Sequence, residues 1–188
     1  AIVERLLDQT LTFGLLSKKV EHRELECQLL MEDNIILIVP AGHPWAQTGK
    51  ITPADLPDQP FIRREEPSGT NEGLAEALKE HKISLDLMNV AMEMGNAEMV
   101  EMAVERGLGV GFVSELVAAR GLALGRIKKV EVENLQPVQP IYLCRRSADS
   151  FTRAETSFWE FAHERREQIR GALFEELARL KRESAEGK

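Results

Sequence analysis

Ser68, Gly69 and Thr70 stand together in the stretch RREEPSGTNEG (63–73), between the apolar run QPFI and the helix-like LAEALKEHK. Two hydroxyls and a glycine at a strand-to-helix joint admit two readings. One is a helix cap, since a Ser or Thr oxygen accepts the unpaired N–H groups of a first turn. The other is an anion-binding turn, in which those N–H groups grip a small ligand while Gly69 lets it approach closely. Asn96 heads a second helix and offers a second positive end, with Gly95 before it. Glu65 and Glu66 weigh against the anion, because a carboxylate there can occupy the positive end itself. Both readings stay open on these residues alone.

Other chemistry-bearing residues do not assemble into a catalytic set. His22, His43, His81 and His163 are scattered, and no two share metal-ligand spacing with a cysteine. No GxSxG elbow and no GxxxxGK[ST] loop occurs. The glycines of GLGVG (107–111) follow a helix and precede a strand. A dinucleotide fingerprint requires the reverse order, so these read as a tight turn with close helix–sheet packing. The carboxylate pairs Glu32–Asp33 and Glu65–Glu66 read as solvated turns. Cys27 and Cys144 sit in apolar, strand-like contexts and read as buried thiols of a reducing compartment. An enzyme is not expected, nor a cofactor or metal.

The elements that must position Ser68–Thr70 follow from periodicity. Helical spacing marks 1–10, 72–81, 97–106 and 114–121, and a long helical pattern starts at Phe151. Strands are expected at LTFGLLS, LECQLL, NIILIVP, FIRRE, LDLMNVAMEM, VGFVS, IKKVEVE and PIYLCRR, with MED a break between LECQLL and NIILIVP. Apolar strands alternating with helices indicate α/β, with mixed sheets flanked by helices. The last strand and helix follow a complete βαβα series, so the chain is expected to leave one lobe, build a second, and return, crossing near Arg63 and Pro140. The expected division is lobe I at 1–62 with 141–163, lobe II at 63–140, and a helical extension at 164–188. In that extension Ile169, Leu173, Leu177 and Leu180 form a candidate oligomer contact.

Bulk properties bound the partners. The 188 residues are 43% hydrophobic and 29% charged, which is ordinary for a globular protein. A net charge of −7 lacks the basic footprint of a nucleic-acid surface. The longest apolar run, NIILIVPAG, is too short to span a membrane. AIVERLLDQT is not a signal peptide.

Taken in order, IVERLLDQTLTFGLLS, IILIVPAGHPWA, ITPADLPDQPFI, REEPSGTNE, MGNAEMVEMAVERGLGVGFVSE and PIYLCRR…TSFWEFA resemble the effector-binding domain of LysR-type transcriptional regulators, over roughly 1–163. The resemblance implies a two-lobed, type II periplasmic-binding-protein-like fold with a small, often anionic, effector in the cleft. Carried across by position, the ligand-binding residues would be Ser17, Ser68, Gly69, Thr70, Gly95 and Asn96. It also implies a homodimer or homotetramer in the cytoplasm, reaching DNA only through an N-terminal winged helix-turn-helix. That module, and the family's usual first strand, would precede Ala1. A solute-binding protein delivering a small anion to a transporter shares the fold and is the competing reading.

Overall fold

The computed structural model describes residues 2–147, 151–168, 171, 172, 175 and 179. The expected contact through Ile169, Leu173, Leu177 and Leu180 lies outside the described residues. Among the described residues the elements run α1 (Ile2–Leu7), β1 (Phe13–Leu16), β2 (Leu25–Pro40), α2 (Pro44–Thr48), β3 (Lys50–Ile51), β4 (Phe61–Arg64), α3 (Gly69–Lys79), β5 (Val90–Met94), α4 (Ala97–Glu105), β6 (Val110–Ser114), α5 (Glu115–Ala123), β7 (Ile127–Val132), β8 (Val138–Arg146) and α6 (Arg153–Glu164). No helix among them is long and apolar enough to cross a membrane.

The chain forms two compact units, one built on Asp33–Gln139 and the other on Ala1–Glu32 and Pro140–Phe174. It passes between them inside β2 and inside β8. MED is therefore not a break: Met31, Glu32 and Asp33 continue one 16-residue strand. Polarity at that point reflects a change of surroundings along a continuous strand.

In the Asp33–Gln139 unit the sheet is covered on both faces. Ile35, Leu37 and Val39 of β2 point into one cluster with Phe61, Leu74, Leu78 and Phe112. Ile36 and Ile38 point into the other with Ile62, Val100, Val104 and Val113. Strand alternation thus explains why NIILIVP is apolar without a break. It also puts α3, through Leu74 and Leu78, on one face and α4, through Val100 and Val104, on the other. β4 pairs in parallel with both β5 and β6, while β2 pairs antiparallel with β6 and β7.

The glycine run behaves as its order dictates. Gly107, at φ 77°, ends α4 in the left-handed conformation that favours glycine. At Gly111 a Cβ would meet Ile62 O and Val100 Cγ1 at 2.9 Å each. A side chain there would push α4 off its strand. LDLMNVAMEM is only partly strand: Leu85–Leu87 make a 3₁₀ turn, with Ser84 accepting from Asp86 N–H, before β5 begins at Val90.

The other unit is smaller and held differently. β8 pairs antiparallel with β1. Leu6, Leu25 and Cys144 form one cluster, and Leu143, Trp159 and Ala162 another. Arg145 is buried, its guanidinium lying 4.0 Å from the Phe151 ring centre and 4.1 Å from that of Trp159, and bonded to Glu26 at 2.8 Å. The cysteines depart from the expectation of free thiols. Cys27 and Cys144 are joined in a disulfide across 117 residues of sequence. The reason is placement on neighbouring strands, which spacing along the chain cannot reveal.

Candidate functional site

Three helices of the Asp33–Gln139 unit begin where parallel strands end. α3 follows β4, α4 follows β5 and α5 follows β6. Since β4, β5 and β6 run parallel, all three helix starts share one edge of the sheet. β4 lies between β5 and β6, and the connections leaving it and returning past it lie on opposite faces. Such a switch in strand order is where α/β proteins leave a crevice for ligands. Each helix has a polar cap: Ser68 Oγ accepts from Asn71 N–H, Asn96 Oδ1 from Met99 N–H at 2.8 Å, and Ser114 Oγ from the N–H groups of Leu116 and Val117.

The α3 start is closed by its own chain. The Glu66 carboxylate accepts from Ser68 N–H at 3.2 Å and from Asn71 Nδ2 at 2.8 Å, placing a negative charge where an anion would sit. Asn71 Nδ2 also donates to Arg64 O at 2.8 Å. Ser68 and Thr70 are buried, and Thr70 Oγ1 donates to Gln139 Oε1 at 3.1 Å. Gly69 is the first residue of the helix.

The α4 start is open. Gly95 and Asn96 are exposed, and a Cβ on Gly95 would meet only Glu65 Oε2, at 3.8 Å. Arg64, at the end of β4, reaches across to donate from Nη2 to Gly95 O at 3.0 Å. Its Nε is buried and has no hydrogen-bond partner among the described residues. A guanidinium N–H and a helix N-terminus therefore stand side by side at this point. Ser17 belongs to the other unit, exposed on the bend after β1. Of the six residues picked from sequence, five gather at the sheet edge.

A buried polar chain backs this edge. Gln139 Nε2 donates to Asp33 Oδ2 at 2.8 Å, and Ser114 also hydrogen-bonds Asp33. Asp33 is only 3% exposed, so the solvated-turn reading of Glu32–Asp33 fails for it. Burial pushes its carboxyl above the ordinary range, with the hydrogen bonds from Ser114 and Gln139 opposing and Glu115 adding to the rise. Thr70, Gln139, Asp33 and Ser114 thus link the starts of α3 and α5. Arg64, Gln139 and Ser114 were not singled out from sequence, and Asp33 was read as solvated, since only pairing of distant strands brings them to one edge. The position of Arg64 at the last residue of a strand was the one available signal.

The histidines serve local structure. His43 Nδ1 caps α2 by accepting Trp45 N–H, and His163 Nδ1 faces Gln28 Oε1 at 2.9 Å. Among the described residues no group of three or more His, Cys, Asp or Glu is placed to hold a metal.

Comparison with known proteins gives a consistent result. A family model described as the LysR substrate binding domain matches residues 1–167. An uncharacterised HTH-type transcriptional regulator of Methanocaldococcus jannaschii is 36% identical over 142 residues, covering 76% of this chain and 48% of that protein. The HTH-type regulator CbbR of Xanthobacter flavus is 34% identical over 127 residues, covering 67% and 37%. The chain thus spans about half or less of the length of these relatives. Among solved structures, the Synechocystis CcmR regulatory domain in complex with 2-PG superposes with a TM-score of 0.72 at 20% identity, covering 86% of this chain and 76% of that one. The effector binding domain of QuiR in complex with shikimate gives 0.77 at 17%, covering 89% and 77%.

Proposed function

Because this chain belongs to the LysR substrate binding domain family, we propose that it is the effector-sensing part of a transcriptional regulator. Its fold is the mixed α/β, type II periplasmic-binding-protein-like fold of the effector-binding domains it superposes on. The named relatives are regulators rather than enzymes.

The effector is a small metabolite carrying an anionic group, received at the α4 start by Arg64, Gly95 and Asn96. Ser68, Gly69 and Thr70 form the neighbouring wall and fix its shape through internal hydrogen bonds. Ser17, the sixth candidate, rests on the family resemblance alone. The single observation that carries this reading is the buried Nε of Arg64, without a partner among the described residues, beside an open helix N-terminus. That the CcmR and QuiR structures are complexes with 2-PG and shikimate supports a small ligand, without bearing on its place. Binding would shift an equilibrium between two arrangements of the protein, and so the placing of DNA-reading helices supplied by another part of it. A homodimer or homotetramer in the cytoplasm is the assembly that this role calls for.

A thermal-shift screen of small carboxylates, phosphate and phosphorylated acids tests the site. At least one such compound is expected to raise the melting temperature, and Arg64→Gln is expected to cut its affinity about tenfold or more, the loss of one charge-assisted pair. A ligand whose effect survives both Arg64→Gln and Asn96→Ala would remove the site from this edge. Stabilisation by neutral or cationic compounds alone would refute the anionic reading.

A further inference from the structure

We propose that Cys27 and Cys144 form a thiol–disulfide exchange site, opened by attack on Cys27 and closed again by a small disulfide. The two sulfurs are unequally placed. Cys27 is half-buried and lines a cavity of about 410 Å³ with Gln28, Trp159, His163 and the carboxylates Glu26, Glu160 and Glu164, so the cavity admits a thiol more readily in neutral or cationic form than as a poly-anion. Cys144 is fully buried against Leu6 and Leu25. A thiolate can therefore reach only the Cys27 sulfur, whatever the bond's intrinsic reactivity.

The exchange is balanced without any further reagent. A thiolate RS⁻ attacks Cys27 Sγ, the S–S bond breaks, and its electron pair leaves on Cys144 Sγ, which takes a proton. A second thiolate then attacks the outer, R-bearing sulfur of that mixed disulfide, and the bond's electron pair leaves on Cys27 Sγ. This releases RSSR, and the Cys27 sulfur is protonated in turn. Two thiols are oxidised to one disulfide as the protein disulfide is reduced to two thiols, and RSSR reverses the sequence. The reduced state packs without loss of partners, because a buried cysteine thiol behaves as a small apolar group among leucines.

Two further observations give the exchange a purpose. DNA-directed regulators work in reducing compartments, where protein disulfides are transient and redox-sensing rather than permanent; this step rests on the regulatory reading above. The bond also ties β2 to β8, the two strands through which the chain passes from one compact unit to the other. Cys27 stands six residues before Asp33 and Cys144 five after Gln139. Opening the bond removes the covalent tie between these two strands.

The test uses the whole chain under native conditions, with dithiothreitol and glutathione disulfide as probes and alkylation read by mass spectrometry. In the oxidised protein neither cysteine is expected to be alkylated. Dithiothreitol should render Cys27 alkylatable, with Cys144 following about tenfold slower or less, while circular dichroism stays that of the folded protein, and glutathione disulfide should close the pair again. Cys144→Ser should collect a glutathione mixed disulfide on Cys27. Cys27→Ser should leave Cys144 reacting about tenfold slower or less. The proposal is overturned if reduction needs denaturant, if both single variants react alike, or if the purified protein holds two thiols that glutathione disulfide does not pair. None of these readings involves an effector. A working redox cycle with an empty effector screen would sink the anionic site alone, and a sealed disulfide would sink this proposal alone.

Discussion

The starts of α3 and α4 lie on the same sheet edge, at the ends of neighbouring strands, yet one is finished and the other is not. At α3 the cap Ser68 is buried, Glu66 supplies the negative charge, and Asn71 ties that carboxylate to the end of β4. At α4 the cap Asn96 is exposed, only Glu65 Oε2 comes near a Cβ on Gly95, at 3.8 Å, and the Arg64 Nε nearby has no partner among the described residues. Both satisfy the rule that a helix start wants a short polar side chain. What separates a cap from a binding place is the pair of residues just before it. Glu-Pro precedes Ser68, whereas Met-Gly precedes Asn96. An α-helix start is a generic anion site only until the protein fills it.

The sharpest way to break this contrast is Asn71→Ala. Its side-chain amide makes two part-buried hydrogen bonds, so removal takes the donor from Arg64 O and leaves the Glu66 carboxylate with the Ser68 N–H and solvent. We expect a loss of about 2 kcal/mol in urea unfolding, the cost of leaving the Arg64 carbonyl without its donor and losing one bond to a carboxylate. Asn96→Ala removes one exposed cap bond and should cost about 1 kcal/mol, while erasing the stabilisation by any anionic ligand. If the two variants lose equal stability, or if only Asn71→Ala abolishes ligand binding, the finished and the open ends have been assigned the wrong way round.

Sequence reading reached the elements well where a local signal existed. NIILIVP had to be buried on both faces, GLGVG had to end a helix rather than start one, and SELVAARG had to be a short helix after a buried strand. It failed where the deciding contact was distant. MED looks like a turn because Glu32 and Asp33 are acidic, but Asp33 is received by Gln139, 106 residues away, and β2 runs through it. Cys27 and Cys144 carry no spacing signal for the same reason. Ser68, Thr70 and Asn96 could be picked out as hydroxyl and amide caps. Which of them faces solvent depended on Glu66 folding back and on Gln139 arriving from β8, and neither leaves a trace in local composition.

The smallest effect, and the one that tests the buried chain behind both helix starts, is Asp33→Asn. The amide oxygen can still accept from Gln139 Nε2, and little packing changes. The difference is in charge. Burial raises the Asp33 carboxyl above its ordinary value of 3.8 in the folded protein. The folded state therefore binds this proton more tightly than the unfolded chain does. By linkage, the contribution of Asp33 to stability falls as pH rises from about the unfolded value through the raised folded one, and is level above it. The amide of the variant does not titrate and has no such slope, so the variant should gain on the wild type across that acidic window and hold the gain at neutral pH. Asp55 and Glu155 carry the opposite slope in both proteins, because hydrogen bonds from Thr52 and Thr152 hold them low, and they cancel in the difference. Urea unfolding of the two proteins at matched pH values gives that difference directly. A wild type that gains on the variant as pH rises would mean that the hydrogen bonds from Ser114 and Gln139 outweigh burial, and that the chain from Thr70 to Ser114 is anchored by a favoured charge.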